Sequence, residues 1–479
     1  MEDWQIVKAT FQKVWGYANF RPPQDQIIRS LLSAQDALIV MPTGGGKSIC
    51  FQLPAILQGG VTLVVSPLVA LMENQVQELH DKSLSAQVIH SQISKFERKQ
   101  TLNLLEKGQL RLLYLSPETL LSPPVWERLI QPNLQINALI LDEAHCLVQW
   151  GDTFRPAYRR LGAVRPALLR HKPRGTKMAI AAFTATADPH TQTIISKTLQ
   201  LKSPKCFLQS PYRANLALSS RTIWTPKGKQ TQLNQFISKY PQKSGLVYVR
   251  SRKDAEILAT ELAQKKYRTA AYHAGLGAGD RRQREKDWLT NKLQFVICTN
   301  AFGMGINKPD VRWILHYQTP TLIAEYIQEV GRAGRDGKQS DALSLVSETT
   351  GWLNPEDKKR NEFFRQNLQQ NIRQAQRLIQ KLPAQGKIDD ILQEQTALSL
   401  GILHSTGQLK WQDPFTYQRI PTINDQAFNN LIKQQDQQFQ KMQKFWRQKN
   451  CLWQYLLFNL GFNTEAKNFR CGHCDRCQK

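Results

Sequence analysis

Ten apolar runs of six to nine residues, spaced along the first 347 positions, constrain the fold of this chain more tightly than any other feature. Residues 36–42, 61–67, 110–116, 138–143 and 178–186 make one set; 244–249, 269–274, 295–300, 312–317 and 341–346 make a second. Runs with little in–out alternation are the mark of parallel strands buried on both faces. Polar or amphipathic segments separate them, which is βα alternation. The pattern predicts an α/β chain of two tandem doubly wound parallel-sheet domains, 1–215 and 216–347, with "SSRTIWTPKGKQ" (219–230) at the seam. Ligands of such sheets bind beyond the carboxyl ends of the strands.

After residue 347 the texture changes. Two Gln-rich stretches carry apolar residues at helical spacing, such as Phe439, Met442 and Trp446, which predicts packed helices; a low-complexity linker is the alternative. Between them, 386–420 reads as two helices, a Gly turn and a short hairpin, an order similar to a winged helix. The segment 348–450 is therefore expected to be helical and to hold that small module, with a cysteine-bearing tail over 451–479.

No apolar run approaches the ~18 residues of a membrane span, and "MEDWQIVKAT" lacks the basic-then-apolar order of a signal peptide. The expectation is a cytosolic or nucleoid-associated protein with no membrane partner. Lys and Arg number 64 against 38 Asp and Glu, giving +26. That excess favours a polyanionic partner, nucleic acid first and anionic lipid as the alternative. Of eight cysteines, 50, 146, 206 and 298 are scattered among apolar neighbours, whereas 451, 471, 474 and 477 cluster as C-x19-C-x2-C-x2-C. Four thiolates at that spacing suit one tetrahedral Zn²⁺ with no open position, hence a structural site. His473, between two of the ligands, is expected to be a bystander.

"MPTGGGKS" (41–48) lies between an apolar run and a helical one. Gly44, Gly45 and Gly46 let backbone N–H groups turn inward on phosphate oxygens, Lys47 can reach the β/γ-phosphates, and Ser48 can ligate Mg²⁺. Thr43 belongs to the same loop, while Met41 stands where the general pattern has its first glycine. In "LILDEAHC" (139–146), Asp142 can hold Mg²⁺ and Glu143 can polarise an attacking water. Each word alone has a bland reading, a ligand-free Gly turn or a surface Asp-Glu pair.

Together with "FTATAD" (183–188), "AFGMGINKPDVR" (301–312) and "QEVGRAGRDG" (328–337), these words resemble the motif series of the RecQ family of superfamily 2 DNA helicases. The resemblance implies two RecA-like domains and ATP-dependent 3′→5′ unwinding of forked or tailed duplex DNA, gripped on single strands and fuelled by Mg²⁺-ATP. It implies that Tyr17 stacks on adenine, Gln24 pairs with its edge and Arg21 assists, although Pro23 stands where a glycine is usual. Arg332 and Arg335, three apart and on one face if helical, become a phosphate contact and an arginine finger, Arg335 the better candidate for the latter. The aromatic and cationic stretch 146–158 becomes a DNA-sensing loop, with Trp150, Phe154, Arg155 and Tyr158 as contacts and His145 and Gln149 as links; rings filling the core are the alternative. Ser251, Arg252, Thr299 and Asn300 become strand-backbone contacts. The four-cysteine plan matches the family's zinc domain.

The chain departs from that plan by ending at Lys479, where many relatives continue into a winged helix and a helical nucleic-acid-binding module. The long 348–450 segment is thus either a substitute duplex-binding surface or an architectural spacer. The competing function is a DNA-dependent ATPase or strand-annealing factor that barely unwinds. An RNA helicase is disfavoured by the motif words, and a single-strand-binding protein is a further expected partner.

Overall fold

The computed structural model describes residues 3–148, 155–302, 308–348, 355–388 and 394–478. The chain forms two compact units, Met1–Met41, Gly45–Gln209 and Asn367–Ile432 in one, and Pro42–Gly44, Ser210–Gln366 and Lys433–Lys479 in the other.

In the first unit, β1 (Ala37–Val40), β2 (Val61–Val65), β3 (Ala86–Ile89), β4 (Leu112–Leu115), β5 (Ile136–Leu141), β6 (Ala179–Thr184) and β7 (Lys205–Leu208) form one parallel sheet, ordered β3-β4-β2-β5-β6-β1-β7. Successive residues feed opposite faces. Leu38, Leu63, Leu139 and Ile180 enter one apolar cluster, whereas Ile39, Val64, Ile140 and Ala181 enter another. Both faces are buried, so all five predicted strands of this set are present.

The second unit repeats the architecture with β8 (Leu216–Ile223), β9 (Gly245–Tyr248), β10 (Thr269–Tyr272), β11 (Phe295–Cys298), β12 (Trp313–His316) and β13 (Ser340–Ser347), in the parallel order β10-β11-β9-β12-β13-β8. The expected seam at 219–230 is not a linker. Its first five residues lie in β8, which pairs with β13 along its whole length. As an edge strand, β8 leaves Arg221 and Thr222 exposed, which breaks the apolar run that would have announced it.

The 348–450 segment is not a module of its own. Helix Glu356–Lys381, helix Glu394–Ser405 and helix Asp425–Arg447 accompany a three-stranded antiparallel sheet of β14 (Gln385–Lys387), β15 (Leu409–Trp411) and β16 (Thr416–Arg419), ordered β14-β16-β15. Gly407, at φ 73, turns the chain from helix into hairpin. Leu368, Ile372, Leu400, Leu403, Trp411 and Phe428 form its core, and Ala163 of the first unit belongs to the same cluster. Residues 367–432 are accordingly part of the first unit, and the chain from Lys433 onward packs with the second. Of the predicted helix–helix–turn–hairpin order, the helix before Gly407 and the hairpin are present; residues 389–393 lie outside the described residues, and β14 was not foreseen.

Candidate active site and cysteine cluster

β1, β5 and β6 are adjacent, and their carboxyl ends carry the phosphate-loop, Asp-Glu and "FTAT" words respectively. Met41 extends β1 by donating its N–H to Thr184 O (3.0 Å), and Asp142 extends β5 by donating to Val65 O (2.9 Å). Lys47 opens the helix Lys47–Leu57, with Gly46 as its left-handed cap. Its Nζ donates to Met41 O at 3.2 Å, and Ser48 beside it is half-buried. Gly46 is favoured by its backbone, and a side chain there would displace Gln24. Its φ is 76, and an added Cβ would lie 2.4 Å from Gln24 Nε2.

Burial, then Glu143, raise the Asp142 carboxyl to about 6, against an opposing pull from Lys47. The Lys47 ammonium is therefore near enough to act on the Asp142 carboxyl. Glu143 occupies the left-handed region at φ 51, a costly place for a residue with a side chain. Its N–H donates to Asp142 Oδ1 (3.0 Å), and its Oε2 lies 3.2 Å from His145 Nδ1. The same Nδ1 is 3.0 Å from Thr184 Oγ1. Burial opposes charge on His145, but Cys146 and Glu143 outweigh it and push its pKa up to about 10. His145 thus ties the carboxylates to β6; its expected link to the DNA-sensing loop runs into residues 149–154, outside the described residues.

On the other side of the loop, Tyr17 follows the helix Trp4–Trp15 and is 52% exposed. Its ring rests on Phe11 (centroids 5.9 Å apart), which stacks on Phe20 (4.2 Å). An exposed ring on an aromatic pedestal offers a free face for a base. Gln24 is buried, accepting from Arg21 N–H (2.9 Å) and donating to Gly45 O and Gly46 O (3.2 Å each). Its amide is thereby a strut of the phosphate loop as well as the expected adenine partner, a role sequence alone did not show.

In the second unit, Arg332 and Arg335 do not share a helical face. The helix Ile323–Val330 ends at Gly331, and both arginines lie in the turns that follow. Gly-Arg-Ala-Gly-Arg-Asp-Gly has too little helix propensity to continue it. Arg332 is buried. Burial, then Arg332 and Arg213, lower Arg335 to about 9. Arg213, which no motif word flagged, donates to Ala333 O at 3.1 Å. Three guanidinium groups gathered this way favour an anion beside them. The turn is held from behind by Arg250, whose Nη1 and Nη2 each donate to Glu329 at 2.7 Å, while His316 Nε2 lies 3.0 Å from the same carboxylate.

The expected DNA contacts are placed unequally. Trp150 and Phe154, with Gln149, lie outside the described residues, as do 303–307 of "AFGMGIN". Tyr158 is a correction: its ring is wholly buried in the first unit's core, so no base can stack on it. Arg155 is half-buried and pairs with the more exposed Glu118 at 3.1 Å, a near-surface pair worth only ~0–1 kcal/mol and easily exchanged for phosphate. Ser251 caps the helix Arg252–Gln264, its hydroxyl accepting from Asp254 N–H (3.0 Å) and donating to Asp254 Oδ2 (2.6 Å). Arg252 beside it is exposed. Thr299 and Asn300 follow β11, the neighbour of β9, so both pairs stand at carboxyl ends of adjacent strands.

The Sγ atoms of Cys451, Cys471, Cys474 and Cys477 all lie within 4.8 Å of one another. A tetrahedral Zn–S site near ~2.3 Å needs Sγ–Sγ separations of about 3.8 Å. Cys474–Cys451 and Cys471–Cys477 are each 3.9 Å apart. Backbone N–H groups of Cys471, Leu452 and Cys474 point at the sulfurs at 3.3–3.5 Å. The cluster is compatible with a structural zinc, and Cys451 caps the helix Leu452–Asn459. His473 instead bonds Cys471 O through Nδ1 (2.7 Å), as a bystander would. Asp475 N–H donates to Leu218 O (3.0 Å) and Asp475 Oδ2 accepts from Ser220 N–H (2.9 Å), so the knuckle is laid along β8. Trp453 is buried and donates to Leu216 O at 3.1 Å.

Two parallel sheets, one ending in a phosphate loop and paired carboxylates, the other in gathered arginines, define a RecA-like nucleotide-driven motor. Residues 21–194 match the DEAD/DEAH box helicase family and 228–337 the helicase conserved C-terminal domain. The whole chain is 48% identical to the ATP-dependent DNA helicase RecQ of Synechocystis, of which it spans 99%. It is 39% identical over 71% of its length to the probable ATP-dependent DNA helicase RecS of Bacillus subtilis, spanning 66% of that protein. In fold it is similar to yeast Dbp5 bound to RNA and ADP BeF3 (TM-score 0.58, 16% identity, 74% of this chain and 90% of that one). It is also similar to the Mycobacterium smegmatis helicase Lhr bound to ssDNA and AMP-PNP (TM-score 0.58, 18% identity, 90% and 61%). The chain belongs to the RecQ family and is an ATP-hydrolysing DNA helicase. Among the described residues no helix is long and apolar enough to cross a membrane.

Proposed function

We propose that the chain moves 3′→5′ along single-stranded DNA and opens forked or tailed duplexes in recombination, repair or fork processing. The observation that carries this reading is Lys47 and Asp142–Glu143 brought together at the carboxyl ends of β1 and β5, which flank β6 in one sheet. Tyr17 takes the adenine face, Gln24 and Arg21 its edge. The Thr43–Gly46 backbone and Lys47 hold the phosphates. Ser48 and Asp142 would hold Mg²⁺, which would supply positive charge against the phosphates. Glu143 orients the attacking water and takes up its proton, while the charged His145 holds the Glu143 side chain in place. Arg335 is the arginine finger and Arg332 its phosphate-binding neighbour. Arg155, Trp150, Phe154, Arg252 and Asn300 contact the strand, with Ser251 and Thr299 positioning their loops.

Cys451, Cys471, Cys474 and Cys477 hold one structural Zn²⁺. A cytoplasmic location and cooperation with a single-strand-binding protein complete the reading. Strand displacement tests it: a 3′-tailed duplex is unwound and a 5′-tailed one is not, and Lys47→Ala abolishes both unwinding and ATP hydrolysis. DNA-stimulated hydrolysis without displacement would favour the strand-annealing ATPase instead.

A further inference from the structure

We infer that the 367–432 insert is a positioning brace for the segment carrying Arg155, and not a second DNA-binding surface; this rests on the reading of Arg155 as a DNA contact. Within 367–432 there are six Lys and Arg against five Asp and Glu, in a chain whose net charge is +26. A module built to grip phosphates carries a basic excess, and this one is close to neutral.

Its packing points elsewhere. Directly after Arg155, residues Pro156–Ala163 form a 3₁₀ run. The inner side of the run, Ala157, Tyr158 and Leu161, shares a core with Ala144, Cys146 and Leu147, the turn that follows Asp142–Glu143. Gly162 backs onto the helix Pro189–Thr198, where an added Cβ would stand 1.9 Å from Thr198 O. The insert closes a further side. Arg160 Nη1 donates to Pro414 O (3.2 Å), Ala163 joins the insert's apolar cluster, and Phe415 meets Trp126 edge-on at 5.1 Å. Arg170, just beyond the next helix, reaches Gln412 O at 3.4 Å. The hairpin tip 412–415 therefore grips the ground on which the Arg155 segment and the hydrolytic carboxylates both stand. Close-packed interiors pass displacement on rather than absorbing it, so loosening the tip weakens the response of hydrolysis to DNA while leaving both sites intact.

Phe415→Ala in the full chain tests this, with basal ATPase, single-strand-stimulated ATPase and DNA affinity by anisotropy measured together. Basal turnover and affinity should stay within about twofold, while stimulated turnover falls at least about fivefold, the lower range of measured couplings. Phe415→Leu should recover most of the loss. Unchanged stimulation overturns the brace. A fall in affinity that accounts for the loss overturns it in favour of DNA binding, and a parallel fall in basal turnover reduces it to general support. If Phe415→Ala does not fold, Arg160→Ala carries the same readouts. Arg155→Ala separates the premise: full stimulation in that variant removes Arg155 as a DNA contact, whereas the brace still stands or falls on Phe415→Ala.

Discussion

Glu329 shows how much of a motor site is support. Its carboxylate takes both arms of Arg250 and faces His316, and although burial opposes its charge, the Arg250 guanidinium and the His316 hydrogen bond hold its pKa down at about 2. Arg250 sits just beyond β9 and Glu329 just before the arginine turn, so the pair fixes where Arg332 and Arg335 start. Removing one partner from a buried pair typically costs ~3–5 kcal/mol. Glu329→Gln should therefore lower the urea midpoint at pH 7 and depress ATPase kcat more than it alters KM for ATP. Because the folded pKa is depressed, the stability Glu329 supplies is intact above the ordinary carboxylate range and lost as pH falls towards about 2. The variant's midpoint should consequently be flatter than the parent's over that acid limb, and identical slopes would refute the assignment. Sequence pointed to the arginines and passed over this pair, because 79 positions separate its members.

Among the elements, the insert's helix Glu394–Ser405 carries its own reporter. His404 is pushed down to about 4, first by burial and then by Arg159 of the 3₁₀ run against which it lies. Among the described residues its Nδ1 has no hydrogen-bond partner. A histidine with a depressed folded pKa stabilises the docked state above its ordinary value near ~6.5 and loses that contribution as pH falls towards 4. Limited proteolysis should thus release the insert faster at pH 5 than at pH 7.5, and His404→Gln should remove the difference. How far elements were legible follows the same physics. Nine of the ten runs became interior strands, readable because burial on both faces leaves continuous apolar sequence; the tenth became the edge strand β10, whose small apolar residues still showed. By contrast "AQVI" of β3, "KCFL" of β7 and "LALSSRTI" of β8 were missed because edge strands keep polar, solvent-facing positions. The aromatic stretch misled at Tyr158, since ring content alone does not say which rings face inward.

For the molecule as a whole, the uneven distribution of charge and the cysteine cluster set different dependences. DNA binding should weaken steeply with salt, and deleting charge from the insert should leave that slope unchanged, because nearly all the basic excess lies outside it. Purified chain should carry one zinc per molecule by atomic absorption. Cys474→Ser or strong chelation should lower the melting temperature and dequench or shift Trp453 fluorescence, since the knuckle and that indole are laid on the same strand. Full stability after complete zinc removal would refute the structural role.

The placement of that knuckle has one more consequence. β8 is the outer strand of its sheet, and Asp475 occupies part of the hydrogen-bonding margin that a foreign strand would otherwise use. Metal loss would bare that margin. Zinc would then govern solubility as much as folding: depleted protein should self-associate in a concentration-dependent way, and a short sacrificial β-peptide should suppress it.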